Sequence, residues 1–226
     1  VLLGDVNGDG HLDLVAGNNN GTNKLYLNSG SGAFFNADTD GTVIGNDIDF
    51  TYSVVLGDVN GDGHLDLVAG NNGQTNKLYL NSGSGAFFNA ETAGTAIGND
   101  QDKTRSVVLG DVDGDGDLDL VSGNYNQTNK LYLNDGSGGF AGTGTAIGSD
   151  QDNTLSVVLG DVDGDGDLDL VAGNDNQTNK LYLNDGSGGF TAGTGTAIGS
   201  DQDNTLSVVL GDVDGDGDLD LVAGNW

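Results

Sequence analysis

Five times along the chain, oxygen-bearing side chains fall on alternate residues and again four residues later. The sets are Asp5, Asn7, Asp9 and Asp13; Asp58, Asn60, Asp62 and Asp66; Asp111, Asp113, Asp115 and Asp119; Asp161, Asp163, Asp165 and Asp169; and Asp212, Asp214, Asp216 and Asp220. Side chains in this pattern converge on one point when the backbone curls, and a glycine after the third of them permits the sharp turn. The next residue, His11, His64, Asp117, Asp167 or Asp218, is placed to offer its backbone carbonyl and to point its side chain outward. That placement accounts for the exchange of His and Asp there. The donors are hard, flexible and all oxygen, which suits calcium, at about five ions with one per loop. Magnesium keeps more of its waters, and zinc prefers nitrogen or sulfur. The competing reading is an Asp- and Gly-rich turn without metal, against which stands the mutual repulsion of closely spaced carboxylates.

Composition leads to the same ion. The chain has 226 residues with 35 Asp plus Glu against 6 Lys plus Arg, a formal charge of −29 that opposes compaction unless something neutralises it. Cysteine is absent, so no disulfide or thiolate site stabilises the fold. Apolar residues make up only 35%, and 42 glycines raise the entropy cost of ordering the backbone, so another staple is needed. Six scattered basic residues do not make a phosphate-binding surface, which argues against nucleic acid as a partner. No apolar run is long enough for a membrane-spanning helix, and no signal-peptide pattern opens the chain. With no Met, the sequence is expected to be a mature form or a fragment, and any export signal to lie upstream.

The elements that must position these loops repeat with them. Gly-Asp-Val begins at Gly4, Gly57, Gly110, Gly160 and Gly211, giving spacings of 53, 53, 50 and 51 residues. Periods near fifty belong to propellers and helical arrays. Within the third unit, Ser106–Val112 is a short, nearly continuous apolar run that reads as a strand buried on both faces. Leu118–Asn124 reads as a second strand and Asn129–Asn134 as a third; a turn follows at Asn134–Gly139, with a weaker fourth strand at Thr145–Ile147. No window sustains a helical period. The reading is therefore all-β: a β-propeller of four-stranded antiparallel blades, four full repeats plus a half blade, in one domain. The units run approximately 1–53, 54–106, 107–156, 157–207 and, in part, 208–226.

An EF-hand or dockerin loop would need an acidic ligand at its twelfth position, where this chain has Ala16, Ala69, Ser122, Ala172 or Ala223. The nine-residue loop between two strands instead resembles the FG-GAP and VCBS repeats of integrin-alpha-like propellers. The stretch Ser156–Asn174 lies very close to that pattern, and the resemblance covers essentially the whole chain. It implies calcium in the hairpin joining the first two strands of each blade. It also implies an exported or surface protein, often adhesive or ligand-binding. Propellers of the integrin type usually have seven blades, whereas four periods and a half are present here.

Other recurrent residues have plainer readings. Asp47 and Asp49, Asp100 and Asp102, Asp150 and Asp152, and Asp201 and Asp203 are expected in solvated loops with Asx-turns, the alternative being a second cation site or an acidic rim. Lys24, Lys77, Lys130 and Lys180 are expected to face solvent, offset nearby acids and discourage edge pairing. Tyr26, Tyr79, Tyr132 and Tyr182, with Phe34, Phe87, Phe140 and Phe190, are expected to pack blade against blade; stacking on sugars is the alternative.

Function follows from uniformity. Nearly identical units suit an extracellular binding or adhesion scaffold for a protein or glycan, and a purely structural surface layer or filament is the runner-up. An enzyme is not expected, because both His residues lie in metal loops and no nucleophile motif appears. Paired Asp residues suited to polysaccharide chemistry are already committed to the loops. The half unit favours further repeats beyond Trp226 over a closed five-bladed ring, with chain-to-chain stacking as the third arrangement.

Overall fold

The computed structural model describes residues 1–31, 41–83, 92–140, 142–190 and 193–226. Every regular element among them is a strand, and no helix is long and apolar enough to cross a membrane. Blade one consists of β1 (Leu2–Gly4), β2 (Asp13–Ala16), β3 (Asn19–Tyr26) and the start of β4 (Thr42–Gly57). The end of β4 opens blade two, which continues through β5 (Asp66–Asn71), β6 (Asn76–Tyr79) and β7 (Thr95–Ile97). Blade three is β8 (Thr104–Gly110), β9 (Asp119–Asn124), β10 (Asn129–Tyr132) and β11 (Thr145–Ile147). Blade four is β12 (Thr154–Gly160), β13 (Asp169–Asn174), β14 (Asn179–Tyr182) and β15 (Thr196–Ile198); β16 (Thr205–Gly211) and β17 (Asp220–Asn225) form a two-stranded fifth unit.

Neighbouring strands pair antiparallel in chain order, as in Val108↔Val121, Val121↔Leu131 and Leu131↔Thr145. The anticipated fourth strand of unit three is found, and the all-β, four-stranded repeat holds in the first four units. Strand β4 was not anticipated. It pairs with β3 through Lys24↔Val43 and with β5 through Val55↔Val68, so the outer strand of blade one runs on into the inner strand of blade two. The cause is local: Asp47-Ile-Asp-Phe-Thr-Tyr52 at the end of unit one alternates strand formers with acids, whereas the end of unit two has Asp100-Gln-Asp-Lys-Thr-Arg105.

Burial also differs from expectation. The innermost strands β8 and β12 are buried only at every third residue. The second strands β5, β9 and β13 are buried at all six positions, because each has a strand on both sides and a blade on both faces.

Blades stack through a repeated junction. Gly110 of β8 lies so close to the next blade that an added Cβ would sit 2.8 Å from Leu159 Cδ1 and 2.9 Å from Leu168 Cδ1. Gly123 of β9 similarly faces Val157 Cγ1 and Thr154 Cγ2. Glycine is used here as a socket for a neighbour's methyl groups. Two hydrogen bonds accompany the contact: Val157 N–H donates to Ser106 Oγ at 3.1 Å, and Asn184 Nδ2 donates to the Val112 carbonyl at 2.8 Å. Tyr79, Tyr132 and Tyr182 are buried in clusters shared with the preceding blade, which is the blade-to-blade packing anticipated for them. Phe140 and Phe190 pack against the same clusters; Phe34 and Phe87 lie outside the described residues.

Candidate metal centres

Each Asp-rich loop is the hairpin between the first two strands of its unit. Its last Asp begins the second strand and serves the scaffold first. Buried Asp119 accepts Val112 N–H at 3.0 Å through Oδ2 and Asn134 N–H at 2.9 Å through Oδ1, tying the loop to the end of β10. Asp13, Asp66 and Asp169 repeat the pair of bonds. Burial is the main cause that raises the carboxyls of Asp66 and Asp119 above the ordinary range, against the pull of those N–H donors. In the fifth unit Asp220 receives only Val213 N–H among the described residues.

The first Asp closes the curl. Asp111 Oδ2 accepts Gly116 N–H at 3.0 Å, and Gly116 takes a φ of 96° that side chains rarely adopt. Equivalent bonds join Gly10 to Asp5, Gly63 to Asp58, Gly166 to Asp161 and Gly217 to Asp212. The third member of each set accepts the N–H of the residue two positions on, which is His11, His64, Asp117, Asp167 or Asp218. The side chains of His11 and His64 lie over Gly30 and Gly83, while those of Asp117 and Asp167 lie over Gly136 and Gly186.

Three carboxylates converge in each of the last three loops. Ligand atoms of Asp111, Asp113 and Asp115, of Asp161, Asp163 and Asp169, and of Asp212, Asp214 and Asp220 lie within 4.8 Å of one another in each set. Asp111 Oδ1 is buried without a hydrogen-bond partner. A hard divalent cation fits these observations: the donors are all oxygen, several are anionic, and a buried acceptor waits for a positive partner. Burial and the neighbouring Asp115 and Asp111 charges push the Asp113 carboxyl upward; burial and Asp165 do the same for Asp163. In the first two loops the second position is a carboxamide, and Asn7 Nδ2 and Asn60 Nδ2 donate to Asp9 and Asp62 at 3.0 and 3.1 Å.

Three of the acidic pairs between blades, Asp47 and Asp49, Asp100 and Asp102, and Asp150 and Asp152, are buried or part-buried rather than solvated, and Lys77, Lys130 and Lys180 turn to them, whereas Asp201 and Asp203 are exposed as expected. Asp100 accepts Tyr132 Oη–H at 3.1 Å, Gly144 N–H at 2.8 Å and Lys130 Nζ at 2.6 Å. Asp102 accepts Gln127 Nε2 at 2.9 Å and pairs with Lys130 at 2.7 Å. Burial opposes ionisation of Asp100, but Lys130 and the N–H donor outweigh it and hold the carboxyl below its usual range. Lys77 with Asp47 and Lys180 with Asp150 repeat the ion pair, while Lys24 makes none among the described residues. Sequence reasoning missed this network because its partners lie about thirty residues apart; their shared period was the available signal.

A family model described as FG-GAP-like repeat matches the chain four times, over residues 5–69, 58–122, 111–172 and 161–223. No curated protein matches it in sequence. Among solved structures, a lectin of Agrocybe aegerita, described as recognising non-reducing terminal N-acetylglucosamine, superposes with a TM-score of 0.66 at 21% identity over 98% of this chain. A computationally designed protein gives 0.54 at 14% identity over 93% of this chain, and a V. cholerae biofilm matrix protein gives 0.50 at 18% over 98%. The chain spans 59%, 55% and 33% of those three proteins, and the likeness is one of fold.

Proposed function

The chain belongs to the FG-GAP-like repeat family, and from that premise we propose that it is an extracellular, calcium-stabilised β-propeller scaffold that binds a protein or glycan without transforming it. The observation that carries the calcium reading is the convergence of Asp111, Asp113 and Asp115, with Asp111 Oδ1 buried and unpartnered. Asp5, Asp9 and Asp13 with Asn7, and their counterparts in each unit, would hold the ion. Calcium there neutralises the loop carboxylates; the chain's own bonds from Gly116 and Val112 keep those carboxylates aimed inward. Each site adds roughly 2.7 kcal/mol at a hundred times its dissociation constant, so five sites rival the stability of an ordinary domain. Excess chelator should therefore lower the melting temperature sharply, and an unchanged melt would overturn the reading.

Ligand binding needs a surface where the repeats differ. Phe50 and Tyr52 occupy places held by Lys103 and Arg105 at the end of unit two and by Asn153 and Leu155 at the end of unit three. The Arg105 guanidinium lies 4.0 Å from the Tyr52 ring centroid and 5.3 Å from that of Tyr125. Phe50 is 40% exposed and Tyr52 47%. Aromatic faces beside a cation suit sugar rings or protein carboxylates, and nowhere else in this acidic chain do Lys and Arg stand together. The chain applied to a glycan and matrix-protein array should give a binder that Tyr52→Ala weakens. An array without binders would favour the purely structural reading, which the near-identity of the units also supports.

A further inference from the structure

Asparagine is a chemically labile residue, and it is most exposed to loss of its side-chain ammonia when glycine follows, because glycine leaves the next amide nitrogen unhindered. The chain has four such pairs, Asn7-Gly8, Asn20-Gly21, Asn60-Gly61 and Asn72-Gly73, all in the first two units. The fold treats them differently. Gly73 N–H donates to the Asp102 carbonyl at 2.8 Å, so its nitrogen is occupied. Gly21 lies within β3 and pairs with Asp49 across the ladder to β4. Gly8 and Gly61 are exposed, and their N–H groups meet no acceptor among the described residues. Where Asp163 replaces the asparagine, Gly164 N–H instead closes on Asp161 Oδ1 at 2.7 Å.

The group to be attacked is prepared on the same two loops. Asn60 Oδ1 accepts the Asp62 N–H at 3.0 Å, and Asn60 Nδ2 donates to Asp62 Oδ2 at 3.1 Å. Asn7 repeats both bonds with Asp9, each at 3.0 Å. An N–H group on the amide oxygen stabilises the negative charge that develops there when a nucleophile adds to the carbon. Among the described residues neither Asn20 nor Asn72 has this pair of bonds, and Asn72 Oδ1 is buried without a partner.

We infer that Asn7 and Asn60 are sites of non-enzymatic deamidation, a modification that gives an asparagine loop the further carboxylate found in units three to five. The Gly61 nitrogen yields its proton to solvent and bonds to Asn60 Cγ, while Nδ2 takes up a proton and leaves as ammonia, closing a cyclic imide. Water then opens the ring by breaking the nitrogen's bond to Cγ, which gives aspartate, or to the main-chain carbonyl carbon of Asn60, which gives isoaspartate. One water is consumed and one ammonia released, with no change of oxidation state. Either product puts an anionic oxygen in place of the Nδ2 donor, so the bond to Asp62 Oδ2 becomes a repulsion. Gly8 and Asn7 react in the same way beside Asp9. The inference goes beyond the binding reading and is independent of what Tyr52 and Arg105 bind.

The test follows the folded chain over time at mildly alkaline pH in calcium-containing buffer, with circular dichroism confirming the fold and peptide mapping by mass spectrometry reading each site. A parallel sample in urea gives the rate of each pair without structure, and dividing by it removes the effect of neighbouring sequence. On that scale Asn7 and Asn60 should convert several-fold faster than Asn20 and Asn72. Anion exchange should resolve species that carry one more negative charge for each converted loop. Asn60→Gln should abolish the loop-two species alone, since the longer side chain closes its ring far more slowly, while Asn7 converts as before. A folded chain in which Asn7 and Asn60 stay intact, or convert no faster than Asn20 and Asn72, would overturn the inference. So would charge variants that persist when Asn7→Gln and Asn60→Gln are combined.

Discussion

The first two Asp-rich loops and the last three share a backbone but close in different ways. In loops one and two, Asn7 and Asn60 donate a hydrogen bond to the carboxylate two residues on. In loops three to five, Asp113, Asp163 and Asp214 stand in that place with nothing to donate, and three carboxylates crowd within 4.8 Å. An asparagine loop therefore satisfies part of its own polarity, whereas an aspartate loop leaves the repulsion between its members uncompensated by any donor of its own. On the calcium reading proposed above, that one group, NH2 against O−, would make the aspartate loops the more dependent on an ion.

The comparison can be broken most forcefully at the residue both classes share. Asp119→Ala strips two buried N–H groups of their acceptor, at about 1–3 kcal/mol each, and should lower the melting temperature by roughly 4–20 °C at fixed calcium. Asp220→Ala removes a single exposed bond in the fifth unit and should cost about 1 kcal/mol. Equal losses in thermal melts would show that the last Asp acts only as a ligand and not as a tie to the third strand.

Exchanging the distinguishing residue has a smaller effect. Asn60→Asp should strengthen calcium binding at loop two by about tenfold, and Asp113→Asn should weaken loop three by a similar factor. Calorimetric titration of the two variants reads both changes, and affinities that move the other way would reverse the ranking of the loops.

The smallest effect is on pH. Asp113 and Asp163 have carboxyls raised above their ordinary range by burial and then by neighbouring charges. A folded state that holds a proton more tightly than the unfolded one loses stability as pH rises through that window, and regains it as pH falls. The metal-free chain should melt higher as the pH is lowered from neutral toward the ordinary carboxylate range, whereas the calcium-loaded chain should melt lower as protons compete with the ion. Asp113→Asn should shrink the gain in the metal-free chain.

Much of this arrangement was readable in the residues because strand and loop signals are local. Thr145–Ile147 stood out between turn residues, and the loops were marked by alternate acids around fixed glycines. What depended on distant partners was not readable. Lys130 looked like a solvent-facing strand residue until the fold brought Asp100 and Asp102 to it, and Gly110 gave no sign that Leu159 and Leu168 would press against it. The run of β4 across two units was hidden by reading unit one through a later unit, since Gln101 and Lys103 at the end of unit two stand where Ile48 and Phe50 continue the strand.

Calcium titration of the stripped chain by calorimetry tests the central claim most directly. The account predicts about five sites in two classes, three tighter and two weaker, with the weaker pair assigned to loops one and two by the Asn60→Asp shift. No heat of binding, five indistinguishable sites, or tighter binding by the asparagine loops would contradict it.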